Sequence, residues 1–188
     1  NYPIDLSIGW NWIGYVPQLA DNLNHALGSI GEAATYIKDQ SNFANYYGAE
    51  IGWYGLLATL SSGGGYLIDV VEEASLVYPS DGYDISVVNG DMEMSDELSR
   101  SYNINNWTVN PHNYEFNGSM TTILSEETGY VVSDGDMLAV FSNNEVRGVG
   151  YADQVPWDDY YVFQVMIYSN EKDRDELTFK YYNATTNE

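Results

Sequence analysis

Hydrophobic and polar residues alternate along most of this chain, with one interruption at helical spacing. Residues 4–16 alternate in the manner of a strand, and Pro17 ends the segment. From Gln18 the apolar residues recur every three or four positions, which predicts one short helix that ends near Gly28 or Gly31. The apolar side of this helix consists of Leu19, Leu23, Ala26, Leu27 and Ile30.

Short aromatic segments punctuated by glycine follow the helix, as expected for strands joined by tight turns. These predicted strands cover residues 36–38, 42–48, 52–55, 66–71 and 75–78. Residues 1–79 are therefore predicted to form a small α+β module. Residues 80–105 have few large apolar side chains and predict a linker or an extended strap, with one strand at 85–88 as the alternative.

From residue 106 the period is two almost throughout, which predicts an antiparallel β-sandwich over residues 106–188. Asn143 and Asn144 separate two of its strands and suit a hairpin turn in which both central residues have positive φ. The predicted strands cover residues 114–124, 137–142, 146–151, 160–168 and 177–182. The whole chain is thus predicted to be mainly β, with a small α+β module at its N-terminal end.

The charge of the chain narrows the classes of partner. It has 28 acidic and 6 basic residues, a net charge of -22, which repels the phosphates of nucleic acids and anionic lipid headgroups. Its 44% hydrophobic content, with 18 Tyr and 5 Trp, is far above that of a disordered acidic segment, so the chain is predicted to fold. Its apolar runs are shorter than the ~20 residues of a membrane span, which predicts no direct membrane insertion.

Carboxylates in the predicted loops of the sandwich are the candidate metal ligands. Asp134 and Asp136 flank a glycine between two strands, and sandwich loops gather at the two ends of the fold. Hard cations prefer oxygen ligands, so this arrangement predicts a calcium site, with a solvated turn as the alternative. The other candidate ligands are Asp153, Asp158 and Asp159.

Aromatic side chains are the candidate ligand-binding groups. Trp10 and Trp12 lie two apart on a predicted strand and so face the same side, as either a core pair or a platform for a sugar ring requires. We expect Trp10 to be buried, and Trp107 to be buried in the second module. Trp12, Trp53 and Tyr54 are the candidate carbohydrate-binding aromatics, again with burial in a core as the alternative.

Catalytic and zinc-binding patterns are missing from the sequence. There is no Cys, and His25 and His112 lack the spacing of a zinc pair. Neither a nucleophile elbow nor a phosphate-binding glycine loop occurs. The sequence therefore predicts a protein that is not an enzyme.

Two stretches resemble repeat modules of large secreted and surface-anchored bacterial proteins. The first follows the pattern Leu-Ser-x-Gly-Trp-Asn-Trp-Ile, Phe-Ala-x-Tyr-Tyr, Gly-Trp-x-Gly and Gly-x-Gly-Tyr over residues 4–79, and the second is a β-sandwich module with a Glu-x-Arg-Gly hairpin. In that family the Arg-Gly pair implies a structural role for Arg147, with its guanidinium on backbone carbonyls or a carboxylate. The resemblance implies an extracellular or cell-surface location and a role in binding or assembly.

Two functions follow from these expectations. The first is a structural subunit of a surface assembly, fibre or adhesin, whose partners are other copies of the chain or neighbouring surface modules. We expect residues 1–6, 181–188 or 85–88 to complete a sheet edge in a neighbouring copy, because open strand edges pair readily. The alternative is a carbohydrate-binding module of a multimodular secreted protein.

Overall fold

A computed structural model describes residues 2–80, 107–172 and 176–188. The chain divides into two compact units, Asn1–Glu93 and Met94–Glu188, and the division falls within the linker predicted for residues 80–105. That linker, apart from Ser80, and its candidate strand at 85–88 lie outside the described residues.

The first unit is built from short strands with little helix. A short 3-10 helix covers Gly31–Ala33, and helix α1 covers Leu23–Ala26. The strands described in this unit are β1 (Ile4–Leu6), β2 (Gly9–Gly14), β3 (Asp21–Asn22), β4 (Ala34–Lys38), β5 (Phe43–Tyr46), β6 (Trp53–Gly55), β7 (Thr59–Leu60), β8 (Gly65–Val70) and β9 (Ala74–Leu76). The prediction that this unit combines several strands with a small helical part is confirmed.

Helix α1 is shorter than the predicted helix. The side-chain oxygen of Asn22 accepts a 3.0 Å hydrogen bond from the backbone N–H of His25, and this cap begins the helix at Leu23 rather than near Gln18. Leu19, assigned to the apolar stripe, is 60% exposed. The stripe from Leu23 onward is buried as predicted, because the chain keeps a helical turn there.

An antiparallel sheet of five strands in the order β2-β8-β4-β5-β6 forms the centre of the first unit. One face of this sheet is buried: Ile13 lies opposite Tyr66, and Ile68 lies opposite Ile37. Helix α1 contributes Leu23 to the same core. Burial of this apolar face is the main stabilising contribution to the unit.

Two further pairs of short strands belong to the described part of the first unit. Strand β1 pairs with β9, and β3 pairs with β7. The segment Ile4–Leu6, predicted to complete a sheet in a neighbouring copy, is therefore already hydrogen-bonded within its own chain. Donating it to another copy would first require breaking this pairing.

The second unit contains five described strands in one antiparallel sheet, in the order β10-β13-β12-β11-β14. Short 3-10 turns cover Pro111–Asn113 and Glu126–Thr128. The strands are β10 (Phe116–Thr122), β11 (Met137–Ser142), β12 (Glu145–Gln154), β13 (Tyr161–Ser169) and β14 (Thr178–Tyr182). The predicted strands are confirmed, but the sandwich arrangement is not, because the hydrogen bonds join all five into a single sheet.

The hairpin between β11 and β12 has the predicted turn. Asn143 has φ 51° and Asn144 has φ 66°, the positive values that a primed two-residue turn needs. Strand β14 pairs with the other side of β11, so Tyr181 and Tyr182 are also bonded within their own chain. Residues 181 and 182, which were also predicted to pair with a neighbouring copy, are thus already paired with β11 of their own chain.

Among the described residues, no helix is both long and apolar enough to cross a membrane.

Two buried tyrosines give the first unit an expected pH dependence. Burial, followed by Asp21 near Tyr15 and by Tyr15 near Tyr78, raises the pKa of Tyr15 and of Tyr78 from 10.0 to about 12. Their rings meet edge-on at 4.9 Å, and their hydroxyls donate to the carbonyls of Leu19 and Gly14 at 3.0 and 3.1 Å. A pKa that is higher in the folded state favours the protonated, folded form.

We therefore expect this stabilisation to be fully present below about pH 10 and to be lost as the pH rises to about 12. Urea unfolding midpoints across this range, with tyrosinate absorbance recorded in parallel, measure it. The double variant Tyr15→Phe, Tyr78→Phe should show a weaker alkaline loss. An equal loss in both proteins would contradict this assignment.

Candidate functional site

The outer face of the first unit's five-stranded sheet, which lies opposite the core, is unusually rich in aromatic side chains. In an antiparallel sheet with one buried face, the other face is ordinarily polar. Here that face bears aromatic side chains from several strands. The register of the strands identifies which side chains share it, because residues directly opposite each other project to the same side.

One row of directly opposed residues crosses all five strands. Trp10 on β2 lies opposite Asp69 on β8, and Asp69 lies opposite Tyr36 on β4. Tyr36 lies opposite Asn45 on β5, which in turn lies opposite Tyr54 on β6. We call these five residues the aromatic row. Aromatic and polar side chains alternate along it, with an aromatic on every second strand.

A second row runs beside the aromatic row on the same face. Trp12 lies opposite Leu67, and Leu67 lies opposite Lys38. Lys38 lies opposite Phe43, whose side chain is only 1% exposed. Phe43 is outside the main core, so its burial on this outer face comes from the side chains around it.

The rings of this face support one another. Trp10 and Tyr36 meet edge-on at 5.6 Å, and Tyr36 stacks on Phe43 at 5.8 Å with 17° between the rings. The Lys38 ammonium lies 5.9 Å from the centre of the Trp10 ring. Partial burial lowers the pKa of Lys38. These contacts hold the rings in place, so a ligand would meet a face that is already formed.

Trp10 is not buried as predicted. It is 56% exposed, and Trp12 is 80% exposed. The physical reason is the phase of β2: Ile13 faces the core opposite Tyr66, which places Trp10 and Trp12 on the outer side. The prediction that the two tryptophans share one side holds, whereas the choice of the inner side for Trp10 was wrong.

The other two candidate aromatics lie on opposite faces of β6. The prediction that Trp53 binds carbohydrate is wrong. Its side chain is 9% exposed and belongs to the core, and its ring lies 5.4 Å from that of Tyr46. A ring buried in this way has no face left for a ligand. Tyr54 is half-buried on the outer face at the end of the aromatic row, so it remains a candidate together with Trp12.

Asp136, one of the predicted metal ligands, makes several hydrogen bonds within its own unit. It is fully buried, and its Oδ2 accepts hydrogen bonds from the Tyr181 hydroxyl at 2.5 Å and from the backbone N–H of Ser133 at 2.9 Å. Its Oδ1 accepts from the backbone N–H of Ala184 at 2.8 Å. Asp134 is exposed and accepts from the Tyr161 hydroxyl at 3.1 Å.

The remaining candidate metal ligands are exposed around the turn after β12. Asp158 accepts a 2.8 Å hydrogen bond from the backbone N–H of Asp159, and Asp153 lies at the end of β12. Within the described ranges no three His or acidic side chains come together as a metal site would require. The predicted convergence of the five carboxylates is therefore not seen, and calcium binding itself stays a prediction.

Trp107 and Arg147 have packing contacts in the second unit. Trp107 is half-buried, and its ring meets those of Phe141 and Tyr182 edge-on at 5.9 and 6.5 Å. The Arg147 guanidinium lies 5.0 Å from the centre of the Tyr114 ring, and its Nη2 is 3.4 Å from Glu145. Trp107 is thus less buried than predicted, whereas the contact of Arg147 with Glu145 fits the structural role implied for Arg147.

The sequence analysis did not predict the polar residues of the outer face as part of a candidate site. Asp69, Asn45 and Lys38 lie on three different strands, and Tyr36 joins them from one of these. No short sequence pattern links Asp69 to the other three residues. Lys38 had one available signal, since it is the only Lys or Arg in the first 80 residues.

In comparisons with known proteins, no family model, curated protein or solved structure matches the chain.

Proposed function

We propose that the first unit binds carbohydrate on the outer face of its five-stranded sheet. The observation that supports this most strongly is the exposure of Trp10 and Trp12, 56% and 80%, on the face opposite the core. Pyranose rings have apolar C–H faces that pack on aromatic rings. Their hydroxyl groups donate and accept hydrogen bonds, for which this face supplies the carboxylate of Asp69 and the amide of Asn45.

A neutral sugar fits the charge of the chain better than an acidic one. At a net charge of -22 the protein repels anions at long range, while an uncharged glycan has no such barrier. Neighbouring exposed apolar side chains mark interaction sites more often than scattered ones do, and Trp10 and Trp12 lie two positions apart on the same face of β2. The proposal needs no catalytic group, in line with the sequence-based expectation of a protein that is not an enzyme.

Assembly into a surface structure is the less favoured proposal. Two of the three segments expected to pair with a neighbouring copy, Ile4–Leu6 and the β14 end at Tyr181 and Tyr182, are bonded within the chain. No contact among the described residues favours a second copy as partner. An extracellular or cell-surface location fits carbohydrate binding and stays a prediction.

The carbohydrate proposal predicts selective loss of binding in tryptophan variants. Trp12→Ala and Trp10→Ala should each weaken retention on immobilised neutral polysaccharides, by about tenfold for one stacking ring. Affinity electrophoresis in gels containing a neutral mannan, xylan or glucan measures this. Because Trp12 is 80% exposed, its removal should leave the thermal midpoint nearly unchanged.

Tyr130→Ala provides the control for this experiment. Tyr130 lies in the second unit and has the same 56% exposure as Trp10, so its removal tests for nonspecific aromatic adsorption. We expect this variant to bind as the parent does. An equal loss in Tyr130→Ala, or no retention of the parent on any polysaccharide, would contradict the proposal.

A further inference from the structure

We infer that the second unit has a separate binding site for an organic ammonium group, in a cavity formed by the segment before β11 and the end of β14. The cavity has a volume of about 530 Å³, within the range of about 300–1,000 Å³ that is usual for small-ligand sites. Its lining includes Tyr130 and Ser133, which precede β11, and Tyr181, Thr185 and Glu188 from β14 and the residues after it. The site is independent of the carbohydrate-binding face, which belongs to the first unit.

Two tyrosine rings form the aromatic part of this lining. The centres of the Tyr130 and Tyr181 rings lie 4.9 Å apart, with 53° between their planes. Tyr130 is still 56% exposed, although it packs on Tyr181. The faces of aromatic rings carry partial negative charge and attract a cation within about 6 Å of the ring centre. Because both rings line one cavity, an ammonium group inside it can contact both.

The charges of the lining favour a cation over an anion. Glu188 contributes a carboxylate, and none of the described residues that line the cavity is basic. The net charge of -22 attracts cations at long range and repels anions. The hydroxyl groups of Ser133 and Thr185 are further acceptors for the N–H groups of a ligand.

An organic cation fits this lining better than a metal ion does. Calcium takes about 6–8 oxygen ligands, several of them carboxylates. Among the described residues of the lining, Glu188 is the only acidic one. An ammonium group with alkyl substituents uses both features of the cavity, because its charge interacts with the carboxylate and the rings while its alkyl groups pack on the rings.

Asp136 holds the two parts of the lining together. Its carboxylate accepts hydrogen bonds from the backbone N–H groups of Ser133 and Ala184, which belong to the two different segments. It also accepts from the Tyr181 hydroxyl, which restrains that ring. Burial, followed by this hydrogen bond, raises the pKa of Tyr181 from 10.0 to about 12, so the hydroxyl keeps its proton at neutral pH. A lining restrained in this way lowers the entropic cost of binding.

Choline and its neutral isostere, in which a tert-butyl group replaces the trimethylammonium group, test the inference. The two molecules have nearly the same shape and differ in charge. NMR titrations of the whole chain that follow the amides of residues 129–133 and 183–188 measure both affinities. We expect choline to bind about tenfold more tightly than the isostere, because only choline has a charge to interact with the rings.

Substitutions in the lining identify the groups that bind. Tyr130→Ala should weaken choline binding about fivefold, whereas Tyr130→Phe keeps the ring and should bind within about twofold of the parent. Glu188→Gln keeps the size of the side chain but removes its charge, and should weaken binding about threefold. Tyr160→Ala is the control, because Tyr160 is a tyrosine of the second unit that is 42% exposed and lies outside the lining. It should leave the affinity unchanged.

Several outcomes would overturn the inference. Equal binding of choline and its isostere would make the cavity an apolar pocket, and an absence of choline binding would leave it without this ligand class. An equal loss in Tyr130→Phe and Tyr130→Ala would assign binding to the hydroxyl instead of the ring. Larger shifts of the same amides with neutral sugars would make the cavity a sugar site.

The inference and the carbohydrate proposal fail separately. Tyr130→Ala should lose choline binding and keep retention on the neutral polysaccharide. Trp12→Ala, in the first unit, should lose that retention and bind choline as the parent does. A loss of both activities in either variant would contradict two independent sites.

Discussion

Replacing Asp136 by alanine is expected to lower the free energy of unfolding of the second unit by about 3–5 kcal/mol. The carboxylate is fully buried and accepts from the Tyr181 hydroxyl and from the backbone N–H groups of Ser133 and Ala184. Alanine removes all three bonds at once and leaves donors without partners. An NMR-detected urea titration that follows amides of residues 107–172 measures the loss in this unit alone.

Two neighbouring substitutions separate the roles of this carboxylate. Asp134→Ala removes an exposed carboxylate two residues away and should cost less than about 1 kcal/mol. Tyr181→Phe removes only the hydroxyl bonded to Asp136, so it should fall between the two alanine variants. If Asp136→Ala were as mild as Asp134→Ala, the buried hydrogen bonds would have no such importance, and Asp136 would return as a candidate metal ligand.

The case of Asp136 also shows where sequence-based reasoning stops. Two carboxylates separated by one glycine look alike whether they bind a cation or hold a turn. What distinguishes Asp136 is that it accepts hydrogen bonds from Tyr181, on β14, and from Ala184, just after β14. Both residues lie more than 40 positions away in the sequence. No local pattern contains that pairing.

Strands and turns were predictable because their signals are local. The Asn143 and Asn144 turn follows from the tolerance of asparagine for positive φ, and it fixes the β11 and β12 hairpin directly. The length of helix α1 was predicted to be too great, and the reason is also local. The apolar spacing suggested a start near Gln18, but the capping side chain of Asn22 sets the start of the helix at Leu23.

The aromatic row was only half predictable. Alternation on β2 places Trp10 and Trp12 on one side, but alternation cannot say which side faces the core. That choice depends on β8, whose Tyr66 and Ile68 are buried and turn the opposite side of the sheet outward. Tyr36, Asn45 and Tyr54 join the row only through the strand order, a property of the whole sheet.

A second large effect is expected from Gly148→Ala, which should lower the free energy of unfolding of the second unit by about 3 kcal/mol. A methyl group built at Gly148 would lie far inside contact distance of the Met166 carbonyl oxygen and 2.8 Å from Cγ1 of Val165. Both obstacles belong to β13, a strand hydrogen-bonded to β10 along its length, so the backbone cannot move aside without breaking those bonds.

Gly118→Ala is the matched control for this steric argument. Gly118 also lies in a strand of the second unit, but a methyl group there meets nothing within 4 Å. Its replacement should be neutral or should stabilise the unit by up to about 1 kcal/mol, since alanine restricts the unfolded chain. Similar losses in both variants would mean that glycine is needed for the strand backbone in general. A loss confined to Gly148→Ala would mean that the glycine of the Arg-Gly pair is needed because β12 and β13 approach closely there. The role of Arg147 would then lie in its contacts with Tyr114 and Glu145.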